Sequence, residues 1–378
     1  MTKLQAFAGA ALIGAMLGSG WLLRTAVIDT PPAIPGSMAE AAVASAETPL
    51  QARGREPLLA SASPQTSSGM AFVINSGEAS ISLVDVATRI ELRRIPVLRE
   101  PHHMALTPDH RFLIIGDTAA NELLFLDPLT GDIAKRMPVS DPYQFGFSPD
   151  GKWFVVNGLL RNQIDIYDAA TMQLTSRIPA SGMPSHLNFS PDSKVAYVSL
   201  QSSNSLIAID VAAGKPIWKA VVGPVPAGVL WHHGKLLVGI MGADYIAMVD
   251  PANGAVQRRI HTAKGAHVLF VPNDGKVIYA TNRVDGSIVV LDADTLTEIR
   301  RFRVAGGPDD MDFAPDGKMW VTRRWAQSVA VIDPLTGVGQ TFQTGRSPHG
   351  IWLNTHDKLI PAPALTTHLG ATAAKPGA

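Results

Sequence analysis

Short apolar runs bounded by turn residues recur along most of the chain. One series of runs reads Phe112–Ile115, Trp153–Val156, Val195–Val198, Leu236–Ile240, Val277–Ala280 and Met319–Val321. A second series follows it, run for run, and reads Leu123–Leu126, Ile164–Tyr167, Leu206–Ile209, Ile246–Val249, Ile288–Leu291 and Val329–Ile332. Each run is too short for a helix, and its flanking turn residues favour a β-strand.

These runs belong to a repeat of about 40 residues, because three kinds of turn marker return at that spacing. An aspartate ends the second series of runs at Asp85, Asp127, Asp168, Asp210, Asp250, Asp292 and Asp333. A proline or glycine precedes each unit at Pro101, Pro142, Pro184, Pro226, Gly265, Pro308 and Pro348. A hairpin turn of the type Phe147-Ser148-Pro149-Asp150-Gly151 comes directly before the first-series run of several units. One unit is therefore four antiparallel strands, which we letter a to d along the chain.

A four-stranded unit of this kind cannot bury both of its faces alone, whereas seven units stacked around an axis can. The first unit, Met70 to Val97, has strands b, c and d but no strand a. The last segment, Pro348 to Leu353, reads as a lone strand a. We therefore predict an all-β, seven-bladed β-propeller over residues 69–357, closed when the C-terminal strand joins the N-terminal blade.

The N-terminal region has a different character. An apolar run from Leu4 to Leu23 follows Lys3 and ends at Arg24, and its length of about 20 residues is sufficient to span a bilayer. We predict a signal anchor within residues 1–29. The alternative is a cleaved signal peptide, with a candidate cleavage region at Ala42 to Ala46. Both place the propeller in the periplasm or another extracytoplasmic space, with residues 4–23 as its only membrane contact. Residues 30–68 and 358–378 are rich in small residues and proline, which predicts a flexible linker and a disordered tail.

Composition narrows the function. The chain carries 32 basic and 32 acidic residues, a balance that argues against a nucleic-acid partner. It has no cysteine, which excludes disulfides, thiolate metal ligands and thiol nucleophiles. The sequence also lacks a Gly-x-Ser-x-Gly elbow, a His-Glu-x-x-His motif and a Cys-x-x-Cys-His haem attachment motif. A small ligand or a periplasmic protein is therefore the expected partner.

The repeat also resembles a known family. The segment Val277-Ile278-Tyr279-Ala280-Thr281-Asn282 is similar to the strand signature of the YVTN β-propeller family. The Ser-Pro-Asp-Gly and Asp-x-x-Thr-Gly turns match that family's pattern as well, over roughly Met70 to Asp357. The resemblance implies a propeller that functions outside the cytoplasm. It also implies kinship with lactonase propellers and with the eight-bladed haem-binding propeller of cytochrome-type nitrite reductases, although the count here is seven.

Candidate metal ligands lie directly after the proline or glycine marker, where each strand a enters the channel; we call this end the channel mouth. The first position after the marker holds His102, Tyr143, Ser185, Ala227, Ala266, Asp309 and His349. The second position holds His103, Gln144, His186, Gly228, His267, Asp310 and Gly350. His103, His186 and His267 share one slot in alternate blades, so their side chains are expected to point toward one axis. With Asp310 or His349 they predict a site for zinc, copper or iron, or for a haem-type cofactor. The alternative is that these histidines bond turn backbones or line the channel with water.

A second set of mouth residues predicts ligand binding. Arg161, Arg283, Arg323 and Arg324 fall on the loops between strands b and c, beside Trp325. Arginines on the same face as the histidines would hold an anionic ligand such as a carboxylate or phosphate. We therefore expect a ligand to contact Arg161, Arg283, Arg323 and Trp325, together with His102, Tyr143, Gln144 and Asp309. The alternative is that these arginines are simply exposed.

Three functions remain open from the sequence. The first is an exported binding module that takes a ligand or partner at the channel mouth. The second is a metal- or haem-dependent oxidoreductase or cofactor carrier that uses the mouth histidines. The third is a lactonase-like hydrolase, for which Asp309 or Asp310, His349 and Arg283 are the candidate residues.

Overall fold

A computed structural model describes residues 69–272 and 274–355 of the protein. The predicted signal segment (1–29), linker (30–68) and tail (358–378) lie outside these residues. Within the described ranges, no helix is long and apolar enough to span a membrane.

The described residues form 28 β-strands and one short 3-10 helix, Arg324–Ala326. In chain order the strands are β1 (Met70–Asn75), β2 (Ser80–Asp85), β3 (Glu91–Pro96), β4 (Pro101–Leu106), β5 (Leu113–Asp117), β6 (Glu122–Leu126), β7 (Ile133–Pro138), β8 (Pro142–Phe147), β9 (Trp153–Gly158), β10 (Gln163–Asp168), β11 (Leu174–Pro179), β12 (Pro184–Phe189), β13 (Val195–Leu200), β14 (Ser205–Asp210), β15 (Lys215–Val221), β16 (Pro226–His232), β17 (Lys235–Ile240), β18 (Tyr245–Val249), β19 (Val256–His261), β20 (Ala266–Phe270), β21 (Val277–Asn282), β22 (Ser287–Asp292), β23 (Glu298–Arg303), β24 (Pro308–Phe313), β25 (Met319–Arg323), β26 (Ser328–Ile332), β27 (Gly339–Gln343) and β28 (Pro348–Asn354).

The strands assemble into seven antiparallel sheets of four, which confirms the predicted seven-bladed propeller. Six sheets are built from four consecutive strands, and the seventh has the order β28-β1-β2-β3. In this closing blade β28 pairs with β1, with Met70 opposite Asn354 and Phe72 opposite Trp352. The C-terminal strand is therefore strand a of the N-terminal blade, as predicted.

The aspartate that ends each strand c shapes the turn that follows. In all seven blades its Oδ1 accepts a hydrogen bond from a backbone N–H two or three residues later, at 2.7 to 2.9 Å. A short carboxylate that bonds its own downstream backbone stabilises a tight turn. This local bond explains why aspartate marks the repeat so regularly.

The core lies between blades. Each apolar cluster combines side chains of two neighbouring sheets, such as Phe72, Ile81 and Leu83 of one blade with Leu113 and Ile115 of the next. Close packing between blades also requires small residues at particular points. At Gly116, an added Cβ would lie 2.6 Å from both Phe145 Cε1 and Pro142 O of the neighbouring blade.

Candidate functional site

The mouth residues are aimed by an irregularity at the start of every innermost strand. In β4, Pro101 pairs with Asp117 and Met104 with Ile115, so two residues of β4, His102 and His103, lie opposite one residue of β5. The innermost strands of the other six blades show a register shift at the same place. A bulge of this kind re-aims side chains that would otherwise alternate between the two faces of the sheet. Two consecutive residues can thus both face the channel axis.

His102, His103 and His349 form a compact group at that axis. Their ring nitrogens offer three possible metal ligands that all lie within 4.8 Å of one another. The ring centroids are 4.1 Å apart for His102 and His349, 4.6 Å for His103 and His349, and 5.1 Å for His102 and His103. All three side chains are buried, with at most 8% of their surface exposed.

Asp309 orients the ring of His349. The Nδ1 of His349 lies 2.5 Å from Asp309 Oδ2, and its Nε2 lies 3.2 Å from the Nε2 of His103. With Nδ1–H donated to the carboxylate, the Nε2 of a neutral His349 carries a lone pair that faces His103. A carboxylate behind a ligating imidazole is the common second layer of a metal site, because it fixes the tautomer and the ring orientation.

Asp309 is also the centre of a buried charge cluster. Arg283 Nε donates to its Oδ1 at 2.9 Å, Arg283 Nη2 contacts the same oxygen, and Arg324 Nη1 lies 3.3 Å from Oδ2. His267 Nδ1 is 3.0 Å from Oδ1, within ion-pair distance. Burial alone would raise the pKa of Asp309, but Arg283, His349 and His267 hold it well below the usual value. The carboxyl is therefore ionised.

The mouth histidines are neutral. Burial lowers the pKa of His102, His103 and His186 well below the usual value, and neighbouring histidines lower it further. Burial also lowers the pKa of His349 to about 4, although Asp309 opposes the shift. A neutral imidazole is the form that binds metal, so no proton needs to be displaced near neutral pH.

The geometry of the trio fits a metal ion. Two imidazole nitrogens bound to one tetrahedral ion at 2.0–2.1 Å would lie about 3.3–3.4 Å apart. The observed separation between His103 and His349 is 3.2 Å. In addition, the buried Nδ1 of His102 has no hydrogen-bond partner among the described residues. A buried polar atom without a partner is costly, and a ligand would satisfy it.

The structure brings together most, but not all, of the residues that the sequence marked. Its compact group is His102, His103 and His349, whereas the sequence grouped His103, His186 and His267 in one slot. Ala266 pairs with Asn282 as Pro101 pairs with Asp117, so His267 is the counterpart of His102 and not of His103. His103, His186, His267 and His349 lie at the channel axis with His102, Tyr143, Asp309 and Arg283. The carboxylate in contact with the histidines is Asp309. Asp310 instead accepts a hydrogen bond from the Met311 N–H at 2.9 Å, and burial raises its pKa to about 7.

Four marked residues take no part in the trio. Gln144 accepts the backbone N–H of Leu187 at 2.6 Å, and Arg323 donates to the carbonyl of Ala305 at 2.7 Å. Trp325 covers Gly307, and Arg161 is exposed. Arg324, which the sequence placed beside Trp325 but not in the ligand set, is buried against Asp309.

Comparisons with known proteins agree with this architecture. A family model described as YNCE-like beta-propeller matches residues 38–359. A functionally unknown protein from Desulfotomaculum acetoxidans DSM 771 is similar in structure, with a TM-score of 0.67 and 15% identity over 76% of this chain and 99% of that chain. Dihydro-heme d1 dehydrogenase NirN in complex with DHE gives a TM-score of 0.57 and 15% identity, over 76% of this chain and 75% of that chain. Kuenenia stuttgartiensis hydrazine synthase gives a TM-score of 0.58 and 19% identity, over 74% of this chain and 93% of that chain. No curated protein matches the chain significantly.

Proposed function

Since the chain belongs to the YNCE-like β-propeller family and a fold alone does not assign a function, we propose one from the channel site. We propose that the protein is a metal-binding propeller in which His102, His103 and His349 hold one transition-metal ion. The observation that carries this proposal is the convergence of three buried imidazoles, one of them fixed by Asp309.

Each residue has a distinct part in this proposal. His102, His103 and His349 supply nitrogen ligands. Asp309 holds the ring of His349 so that Nε2 faces inward, and Arg283 and Arg324 hold Asp309 in turn. The ion would supply Lewis acidity or redox chemistry, and the chain would position it and keep bulk water away. Three imidazoles and no thiolate suit zinc, copper or iron.

A haem-type cofactor, open from the sequence, is less well supported. The structure of NirN contains DHE, but the likeness to this chain at 15% identity concerns the fold alone. In this protein the rings of His102, His103 and His349 are 4.1–5.1 Å apart. Two of these rings on opposite faces of a macrocycle would have to be about 7 Å apart, because each ring would contact the macrocycle at a distance of ~3.5 Å. A single ion needs no such gap.

A lactonase-like hydrolase also has less support, even though its candidates Asp309, His349 and Arg283 are in contact. Both carboxylate oxygens of Asp309 already face cations or imidazoles. The Nε2 of His349 faces His103. This arrangement suits the positioning of a ligand nitrogen better than the activation of a water molecule.

We also propose that the propeller lies outside the cytoplasm, because the apolar run from Leu4 to Leu23 is typical of a signal anchor or signal peptide. A periplasmic protein or small ligand remains the proposed partner at the mouth. Fractionation of cells that express the tagged full chain tests the address. The proposal expects the protein in the membrane or periplasmic fraction, and recovery in the cytosol alone would contradict it.

Metal analysis of the purified full chain tests the central function. Elemental analysis of the wild type should find about one transition-metal ion per chain after loading and desalting. A His103→Ala, His349→Ala double variant should lose it, whereas His233→Ala should keep it, because His233 is exposed and outside the channel. A Soret band would instead indicate a haem. Equal metal content in wild type and double variant would refute the proposed site.

A further inference from the structure

His186 lies beside the proposed metal trio but is not part of it. Its ring centroid is 5.4 Å from that of His103 and 5.2 Å from that of His267, and Tyr143 is 6.1 Å away. The residue is buried, with 2% of its surface exposed. The group of donor atoms within 4.8 Å of one another contains His102, His103 and His349 but not His186.

The hydrogen bonds around His186 are all satisfied when its Nδ1 carries the proton. Ser199 Oγ accepts the His186 backbone N–H at 3.1 Å and donates its own proton to the His186 carbonyl at 3.3 Å. Ser185 Oγ lies 2.9 Å from Ser199 Oγ, and either hydroxyl can be the donor of that bond. Because Ser199 has a single proton, its bond to the His186 carbonyl makes Ser185 the donor to Ser199, and the 3.1 Å contact between Ser185 Oγ and His186 Nδ1 then places the proton on Nδ1. We assign this arrangement because it satisfies all four contacts at once.

This tautomer leaves a lone pair on Nε2 of His186. That nitrogen is buried and has no hydrogen-bond partner among the residues that the structure describes. With the proton on Nδ1 of a neutral imidazole, Nε2 is an acceptor and not a donor. An acceptor held in place in a buried site, with nothing to accept, points to a missing donor.

We infer that His186 Nε2 accepts a hydrogen bond from a small, proton-bearing oxygen or nitrogen ligand of the ion. The inference rests on the proposed function, because it needs an ion on His102, His103 and His349. Three protein ligands leave a position for an exogenous molecule, as in sites that keep one coordination position open. Neighbouring rings around the site lie 4.1–6.1 Å apart, centroid to centroid, so we consider molecules of only one to three heavy atoms.

Two small probes of opposite character test this role. The full-length protein is loaded with Co(II), whose visible spectrum reports a change of ligand. It is then titrated with hydroxylamine, which carries protons to donate, and with azide, which carries none. In the wild type both probes should change the spectrum. In His186→Ala the affinity for hydroxylamine should fall about 3- to 10-fold, the usual effect of one lost hydrogen bond, while the affinity for azide stays within about 2-fold.

A rescue variant and a control separate this role from a structural one. His186→Gln offers a side-chain oxygen as acceptor and should restore part of the hydroxylamine affinity. His233→Ala should behave as the wild type. Equal weakening of both probes in His186→Ala would show that His186 only supports the packing, and would overturn the inference.

The failure of the inference is distinguishable from the failure of the proposed function. If the wild type takes up no Co(II), both are wrong. If one Co(II) ion binds per chain and neither probe changes its spectrum, the proposed metal site is supported. The inference that the ion keeps a coordination position open for a further ligand is then wrong. If Co(II) binds and both probes bind equally well to the wild type and His186→Ala, the acceptor role of His186 is wrong.

Discussion

The sharpest prediction concerns Asp309, because one carboxylate contacts two arginines and two histidines. Asp309→Asn keeps the size of the side chain but removes its charge. Asp309 is fully buried, and the side chain of Arg283 is 8% exposed. The substitution therefore leaves the Arg283 guanidinium in the interior without its anionic partner.

The magnitude follows from the cost of an uncompensated buried charge. Removal of one partner of a buried ion pair destabilises proteins by about 3–5 kcal/mol. We expect the free energy of unfolding of Asp309→Asn to fall by an amount of this order. We also expect metal affinity to fall about 10- to 100-fold, because His349 loses the carboxylate that orients it.

Urea denaturation of the metal-free protein, followed by tryptophan fluorescence, measures the first effect. Asp132→Asn is the matched control, since Asp132 pairs with Arg93 on the surface, where both side chains are well exposed. Its midpoint should change little, because exposed pairs contribute little to stability. If Asp309→Asn shifts the midpoint no more than Asp132→Asn, the description of Asp309 as the centre of a buried charge cluster is wrong.

Three further predictions concern pH, packing and ring closure. The pKa of His349 is about 4 in the folded protein against 6.5 ordinarily, so the unfolded protein takes up this proton first as the pH falls. The contribution of His349 to the free energy of unfolding is therefore complete above pH 6.5 and is lost as the pH falls toward 4. At about 1.4 kcal/mol per pKa unit this one histidine accounts for ~3 kcal/mol, whereas Asp310, whose pKa is raised to about 7, acts in the opposite direction by a similar amount. The comparison is therefore made with His349→Gln: between pH 6.5 and pH 4 the urea midpoint of the wild type should fall more than that of the variant, and equal falls would contradict the assignment. The Gly116→Ala substitution should lower the free energy of unfolding by about 1–3 kcal/mol, because it forces a Cβ against Phe145; unchanged thermal stability would contradict this contact. A chain ending at Ser347 lacks β28 and exposes β1, so we expect soluble yield to collapse, and a monomeric protein of wild-type stability would refute closure by β28.

The fold could be predicted from the sequence because its determinants are local and repeated. The aspartate at the end of each strand c bonds its own turn, so the same residue type returns at each repeat. The missing strand a of the first unit and the extra strand at the end also appear directly in the sequence. That these two segments pair follows once the units are counted, and the structure adds the register, with Phe72 opposite Trp352.

The site could be predicted only in part, because it depends on bulges and on contacts between distant blades. The sequence placed His102 at the first position after the marker and His103 at the second, and counted only His103 among the metal ligands. The register shift in β4 instead lets both rings approach His349. The same irregularity places Asp309, and not Asp310, against the histidines. A repeat pattern marks the positions that face the channel, but it does not show how a bulge rotates each side chain.

The metal site is tested most directly by anomalous X-ray diffraction from crystals of the full chain loaded with a single transition metal. We predict one strong peak at the metal's absorption edge, about 2.0–2.2 Å from a ring nitrogen of each of His102, His103 and His349. Asp309 should remain bonded to the Nδ1 of His349 in that structure. A peak elsewhere on the propeller, or a channel mouth without a peak in a metal-loaded crystal, would show that these three histidines do not form the site.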